Sequence, residues 1–199
     1  MKNILLALFL GSAFLMLIPN ASAQTPDCPP AGSGGTTGPS VAWFDYIANG
    51  WPDGTTHCWT PNNVIAGGDM PCAFVGGNYT DFEFNYGGEI DQQFIIPTTS
   101  PHTSFTYYGF SYSLNFENPT HESPWDLQLN VQVWDSTTGS VLISDHYDAS
   151  QPDVTCGRRD PTGFYGNLAG HTILVRIMGN RGNASSHIRV RQISFSGSQ

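Results

Sequence analysis

The chain has 199 residues, a formal net charge of −9 and only 12% charged residues. Its length allows one domain with a substantial core. Seven basic residues against sixteen acids disfavour nucleic acid, polyphosphate and anionic lipid as partners over most of the surface.

Residues 1–23 read as an export signal. Lys2 opens it, Ile4 to Ile18 is the apolar segment, and Ala21-Ser-Ala23 matches a small-x-small cleavage site. The apolar run is too short for a membrane span. No Cys stands at the cleavage point, so no lipid anchor is expected, and the expected destination is secreted or periplasmic. Residues 24–40 are rich in Pro, Gly, Ser and Thr and read as an extended, mobile leader. The folded domain is expected over residues 41–199.

The four cysteines, Cys28, Cys58, Cys72 and Cys156, read in an exported chain as two disulfides. Their spacing lacks the tight Cys-x-x-Cys element of a zinc site. Of three connectivities, Cys58–Cys72 with Cys28–Cys156 is the favoured one, because turn residues between Cys58 and Cys72 can fold their strands together.

From Val41 to Met70, short apolar clusters are broken by Asn49-Gly50, Pro52-Asp-Gly54 and Gly67-Gly68, as short strands with turns are. Trp43, Trp51 and Trp59 are expected in the core. Thr80 to Tyr86 alternates, with Phe82, Phe84 and Tyr86 on one face. Gly87-Gly88 then predicts a turn, and Glu89 to Ile96 a returning strand. Phe105 to Phe116 predicts a long strand with Tyr108, Phe110, Tyr112, Leu114 and Phe116 inward and Tyr107 outward. Leu127 to Trp134 alternates without a break: Leu127, Leu129, Val131 and Val133 against Gln128, Asn130, Gln132 and Trp134. Side chains alternate sides along a strand, so this is a half-buried strand. A turn at Asp135 to Gly139, the apolar Val141 to Ile143, and strands at Thr172 to Ile177 and Ile188 to Phe195 complete the pattern. No sustained helical period is present in the exported part. The fold class is an all-β antiparallel jelly-roll β-sandwich with very little helix.

In order and spacing these parts resemble the jelly-roll domains of exported bacterial proteins: galactose-binding-like, carbohydrate-module-like and MAM-like β-sandwiches. The resemblance covers about residues 41–196. It rests on Phe44 to Trp51, Ile90 to Pro97, the Leu-x-Leu-x-Val-x-Val strand with its Thr-Gly turn, Leu168 to Arg176, and the last strand. It departs at the last strand, where Arg191-Gln192 stand where such domains often carry paired aspartates before the final apolar residues. That departure counts against a structural calcium ion there. The fold class is functionally broad and does not settle function.

No Gly-x-Ser-x-Gly elbow and no His-Glu-x-x-His motif is present, and His121-Glu122 sits between prolines in a loop. Spacing selects no pair of acids for a glycosidase. Aromatics are the stronger signal, because a flat ring can stack on the apolar face of a sugar while amides orient its hydroxyls. Trp134 and Trp125, with Gln132, Asn130 and Gln128, form the expected binding set, and Tyr107 is a further outward ring. Asp145, Asp148 and Asp153 read as an oxygen-rich loop able to hold calcium, as do Glu89 and Asp91; no other cofactor is expected. Asn78-Tyr-Thr80 and Asn183-Ala-Ser185 fit the glycosylation pattern.

The leading expectation is a non-catalytic module that binds a carbohydrate or another surface polymer. A structural or adhesive subunit is the second. All six arginines lie between Arg158 and Arg191, after an arginine-free acidic stretch, and these parts can complement each other within one molecule or between copies. A carboxylate-dependent glycosidase or polysaccharide lyase is the third.

Overall fold

A computed structural model describes residues 28, 32–34, 43–50, 55–67 and 81–199. The export signal, nearly all of the leader, Trp51, Cys72 and Asn78 lie outside the described residues. Among the described residues there are eleven strands: β1 Gly32–Gly34, β2 Trp43–Asp45, β3 Thr60–Ala66, β4 Phe82–Ile95, β5 Tyr107–Glu117, β6 Leu127–Asp135, β7 Ser140–Asp148, β8 Val154–Arg159, β9 Phe164–Tyr165, β10 Thr172–Arg181 and β11 His187–Ser198. One short 3-10 turn, His102–Ser104, is the only helical element among the described residues.

All strand pairs are antiparallel. Strands β4-β10-β6-β7 lie side by side, with β3 added beside β4. Strands β2-β11-β5-β8 form the second layer, with β1 beside β2 and β9 beside β5. This strand order is that of a jelly roll. The layers meet face to face: Phe116 of β5 packs on Tyr147 of β7, centroids 5.0 Å apart, and Phe94 of β4 on Phe195 of β11 at 5.8 Å. Among the described strands the two layers pair where Arg189 and Val190 of β11 meet Glu83 and Phe82 of β4.

The alternation of β6 becomes the core. Leu127, Leu129, Val131 and Val133 are fully buried, each contributing about 1.5–3 kcal/mol by leaving water. Ile173, Val175 and Ile177 of β10 lie beside them, and Tyr108, Phe110, Tyr112, Leu114 and Phe116 of β5 fill the opposite layer. The β10 backbone passes so close to β4 that a Cβ on Gly179 would sit 2.5 Å from the Cβ of Phe84.

Gly87-Gly88 is not a hairpin turn. β4 runs unbroken through it, and Gly88 pairs with Gly179 of β10. Opposite this point β3 shifts register between Asn62 and Val64, making a bulge, with Gly87 at φ 62° and Asn63 at φ 56°. The irregularity lets one strand serve both layers: its start pairs with β11, its remainder with β10. It also turns Tyr86 out of the core, 72% exposed, against the expectation that it shares a face with Phe82 and Phe84. Trp59 is buried, as its N-terminal position suggests, but Trp43 is 44% exposed.

The disulfide expectation is corrected. Cys28 bonds Cys58, which overturns both favoured pairs, Cys58–Cys72 and Cys28–Cys156. Cys58 adopts φ 70° in a turn that presents its sulfur to the N-terminal segment rather than onward along the chain. Cys156 is also disulfide-bonded. His57 lies 3.9 Å from the Cys28 sulfur, but the two sulfurs are bonded to each other and offer no thiolate to a metal.

The charge division is resolved within the molecule. Arg159 meets Asp145, Arg176 meets Asp91 and Glu89, and Arg181 and Arg189 both meet Glu83. Burial raises Glu83, but its bonds to His187 and the two arginines outweigh this and hold its carboxyl below the usual range. Among the described residues, no helix is long and apolar enough to cross a membrane.

Candidate functional site

The outward face of β4-β10-β6-β7 is polar because the same alternation that buries its inner face turns every second residue to solvent. Register sets the neighbours. Gln132 lies opposite Arg176, Asn130 opposite Met178, and Gln128 opposite Asn180. Arg176 and Met178 in turn lie opposite Asp91 and Glu89 of β4. On the other side of β6, Asn130 lies opposite His146 and Gln128 opposite Asp148.

An open depression of about 240 Å³ lies on this face. It is lined by Gly87–Glu89 of β4, Gln128 and Asn130 of β6, and Met178–Asn180 of β10. The two glycines of the bulge leave the β4 side low, and amides supply most of the polar lining. Trp125 stands where the preceding loop enters β6, 81% exposed. Its carbonyl accepts from Asn180 Nδ2 at 3.0 Å and from Gln128 Nε2 at 3.2 Å, which ties the loop to two lining residues. Asn180 Oδ1 accepts from the Gly87 amide at 3.1 Å, so one side chain holds the Trp125 loop and the β4 bulge together. Tyr86, next to that bulge, is the second exposed ring nearby.

Asn130 is oriented from behind. Its Oδ1 lies 2.8 Å from His146 Nδ1, and His146 Nε2 lies 2.9 Å from Asp148. Farther along the face, Trp134 Nε1 donates to Gln132 Oε1 at 3.0 Å. Trp134 is half-buried, with Leu174 and Val141 as its strand neighbours. Arg176 donates to both oxygens of Asp91, at 3.0 and 2.8 Å, and its Nε also lies 3.2 Å from Glu89. Burial and the charge of Asp91 raise the Glu89 carboxyl despite that arginine.

The sequence-predicted residues are therefore partly gathered. Gln128 and Asn130 line the depression, Trp125 is tied to it through its carbonyl, and Gln132 and Trp134 continue the same face beyond it. Tyr107 does not join them. It lies on β5, in the other layer, against Tyr165 at a centroid distance of 5.1 Å. The residues that sequence reasoning missed are Met178, Asn180 and the glycines of the bulge. The outward alternation of Arg176, Met178 and Asn180 was their only signal.

The acidic loop is corrected. Asp145 and Asp148 belong to strand β7, and a bulge between the pairs of Val133 and Trp134 resets its parity. Asp145 faces inward, where it accepts from Arg159 at 2.6 and 3.0 Å and from Tyr112 at 2.7 Å. Asp148 faces outward to His146 and caps the turn at Ser150, and Asp153 accepts from the Asn118 amide. The three carboxylates are not brought together. Nor does the last strand fit calcium: Arg191 is a buried cation, and Gln192, at φ 52°, accepts from Ser113. His121-Glu122 is structural, with Glu122 accepting from the Gly182 amide. Asn183 is exposed.

No protein-family model matches the chain, and no curated protein sequence matches it. Among solved structures it is similar to a Stig cyclase of Fischerella sp. TAU bound to an indole compound. That likeness has 12% identity and a TM-score of 0.49, covering 72% of this chain and 86% of that one. It is similar to the CBM22-1 xylan-binding domain of Paenibacillus barcinonensis Xyn10C, with 12% identity and a TM-score of 0.43, covering 75% and 91%. It is also similar to the cellobiose-bound CBM6-3 of Clostridium stercorarium, with 14% identity and a TM-score of 0.38, covering 70% and 86%. At such identities no residue role carries over from any of them.

Proposed function

We propose that the chain is an exported, non-catalytic carbohydrate-binding module whose ligand lies across the outward face of β4-β10-β6-β7. The observation that carries this reading is an amide-lined depression adjoined by the exposed Trp125, whose carbonyl is held by two of the lining amides. Trp125 supplies a stacking surface, while Gln128, Asn130 and Asn180 supply donors and acceptors in fixed orientation. This division of labour suits a ligand whose rings have apolar faces and hydroxylated edges. The ordered strands beneath keep the amides in place, so little conformational freedom is lost on binding. The Cys28–Cys58 bond fits an oxidising compartment.

The test is a glycan array probed with the mature protein, followed by titration of the best hit against wild type and Trp125→Ala. The ring is exposed, so its removal should leave the melting temperature within about 1 °C while weakening binding about tenfold or more. Binding untouched by Trp125→Ala would remove the depression from the reading. Release of new reducing ends or unsaturated sugars from the bound glycan would instead establish the hydrolase or lyase alternative.

A further inference from the structure

The depression carries one formal charge. Glu89 lines it, and no Lys or Arg does. The only cation facing this surface from β10, Arg176, is engaged by both oxygens of Asp91 and by Glu89 itself. Arg181, farther along that strand, is turned to Glu83 and Asn85, at 2.7 and 2.6 Å. Behind Asn130, His146 is held by Asp148. The face thus holds three carboxylates against one committed guanidinium and one histidine, on a chain of net charge −9. Glu89 in the depression and the exposed ring of Trp125, whose carbonyl is held by the lining residues Asn180 and Gln128, both favour cations, since a ring face is itself negative. An acidic sugar would meet Glu89 with no free guanidinium to receive it.

Resting on the binding reading above, we infer that the ligand is a glycan with free amino groups, such as an oligomer of β-1,4-linked glucosamine. A protonated amine is directed to Glu89 and a sugar ring lies on Trp125. The Glu89 side chain is 33% exposed, so water screens the attraction and the selectivity it gives is moderate.

Calorimetric titration of the mature protein should compare a glucosamine tetramer, its N-acetylated counterpart, cellotetraose and an oligogalacturonide, just below neutral pH, where amines carry protons while the raised Glu89 carboxyl keeps its charge. The amine tetramer should bind about tenfold tighter than the acetylated one, and the oligogalacturonide should not bind. That preference should shrink between about 0.05 and 0.5 M salt, a readout that needs no variant. In Glu89→Gln the ratio of the two affinities should fall to about one. Equal or tighter binding of the acetylated tetramer by wild type, a salt-independent ratio, or a ratio unchanged in folded Glu89→Gln overturns the inference. If neutral tetramers bind without any amine preference, the inference fails and the binding reading stands. If no glycan binds, both fail.

Discussion

Removing the Asp145 carboxylate tests the claim that it ties the two layers together rather than holding a metal. Asp145 sits on β7 in one layer, while its partners Arg159 and Tyr112 belong to β8 and β5 in the other. Its side chain is 13% exposed and that of Arg159 30%, so the pair is partly shielded from water. Asp145→Ala deletes two charge-assisted hydrogen bonds and the acceptor of the Tyr112 hydroxyl. It leaves Arg159, stacked 5.1 Å from the Tyr147 ring, without its counter-charge. Breaking a fully buried pair costs about 3–5 kcal/mol, and the partial exposure of Arg159 moderates this to about 3 kcal/mol. For a chain of this size that is about 6–12 °C in melting temperature. Asp145→Asn keeps one acceptor and should lose about half as much. The pH dependence gives a second check. Burial raises the Asp145 carboxyl, but its bonds to Arg159 and Tyr112 outweigh this and hold it below the usual range. Its contribution is therefore complete above the unfolded value of about 3.9 and disappears as pH falls through the lower folded value. Wild type and Asp145→Ala should differ at neutral pH and converge in acid. Differential scanning calorimetry across that range measures it. A variant melting within about 1 °C of wild type at neutral pH would refute the role assigned to this pair.

Asn180→Ala should weaken glycan binding about fivefold or more, because it frees both the Trp125 loop and the Gly87 bulge; titration calorimetry with the array hit measures it. Trp134→Ala should cost about 1–2 kcal/mol, below the value for a fully buried aromatic, as read from chemical denaturation. Gly179→Ala forces a Cβ against Phe84 and should cost about 1–3 kcal/mol by the same measurement. Paired Cys28→Ser and Cys58→Ser substitutions should cost about 2–4 kcal/mol, and two alkylatable thiols in the unreduced wild-type protein would contradict the bond.

What was legible in the chain was local. The four aliphatic residues of β6 announce their face because each is decided by a period of two, and the five inward residues of β5 do the same. Gly87-Gly88 misled because its composition is that of a turn. Long-range pairing of Gly88 with Gly179, and the extra residues of β4 between Phe84 and Glu89, made it a bulge within a continuous strand. Asp145 misled for a related reason. The bulge in β7 moves every later residue to the opposite face, so an acid that reads as solvated lies inside. Cysteine pairing depends on where turns aim the sulfurs, which spacing alone does not encode.

The same distinction explains the half-legible site. Trp125, Gln128 and Asn130 were visible because they lie on one strand and its entrance. Glu89, Met178 and Asn180 become their neighbours only through the register of β4, β10 and β6. The arginines follow the same rule. Their crowding into the last third of the chain invited a reading of charge complementation within one molecule or between copies. Antiparallel pairing sets β10 beside β4 and β11 across from it, so that Arg176, Arg181 and Arg189 reach Asp91, Glu89 and Glu83 within the molecule. Those pairs hold strands in register, which leaves the one arginine on the outward face, Arg176, committed to Asp91 and Glu89. Glu89 is then the one charge at the depression, and topology rather than composition sets the electrostatics that a ligand meets.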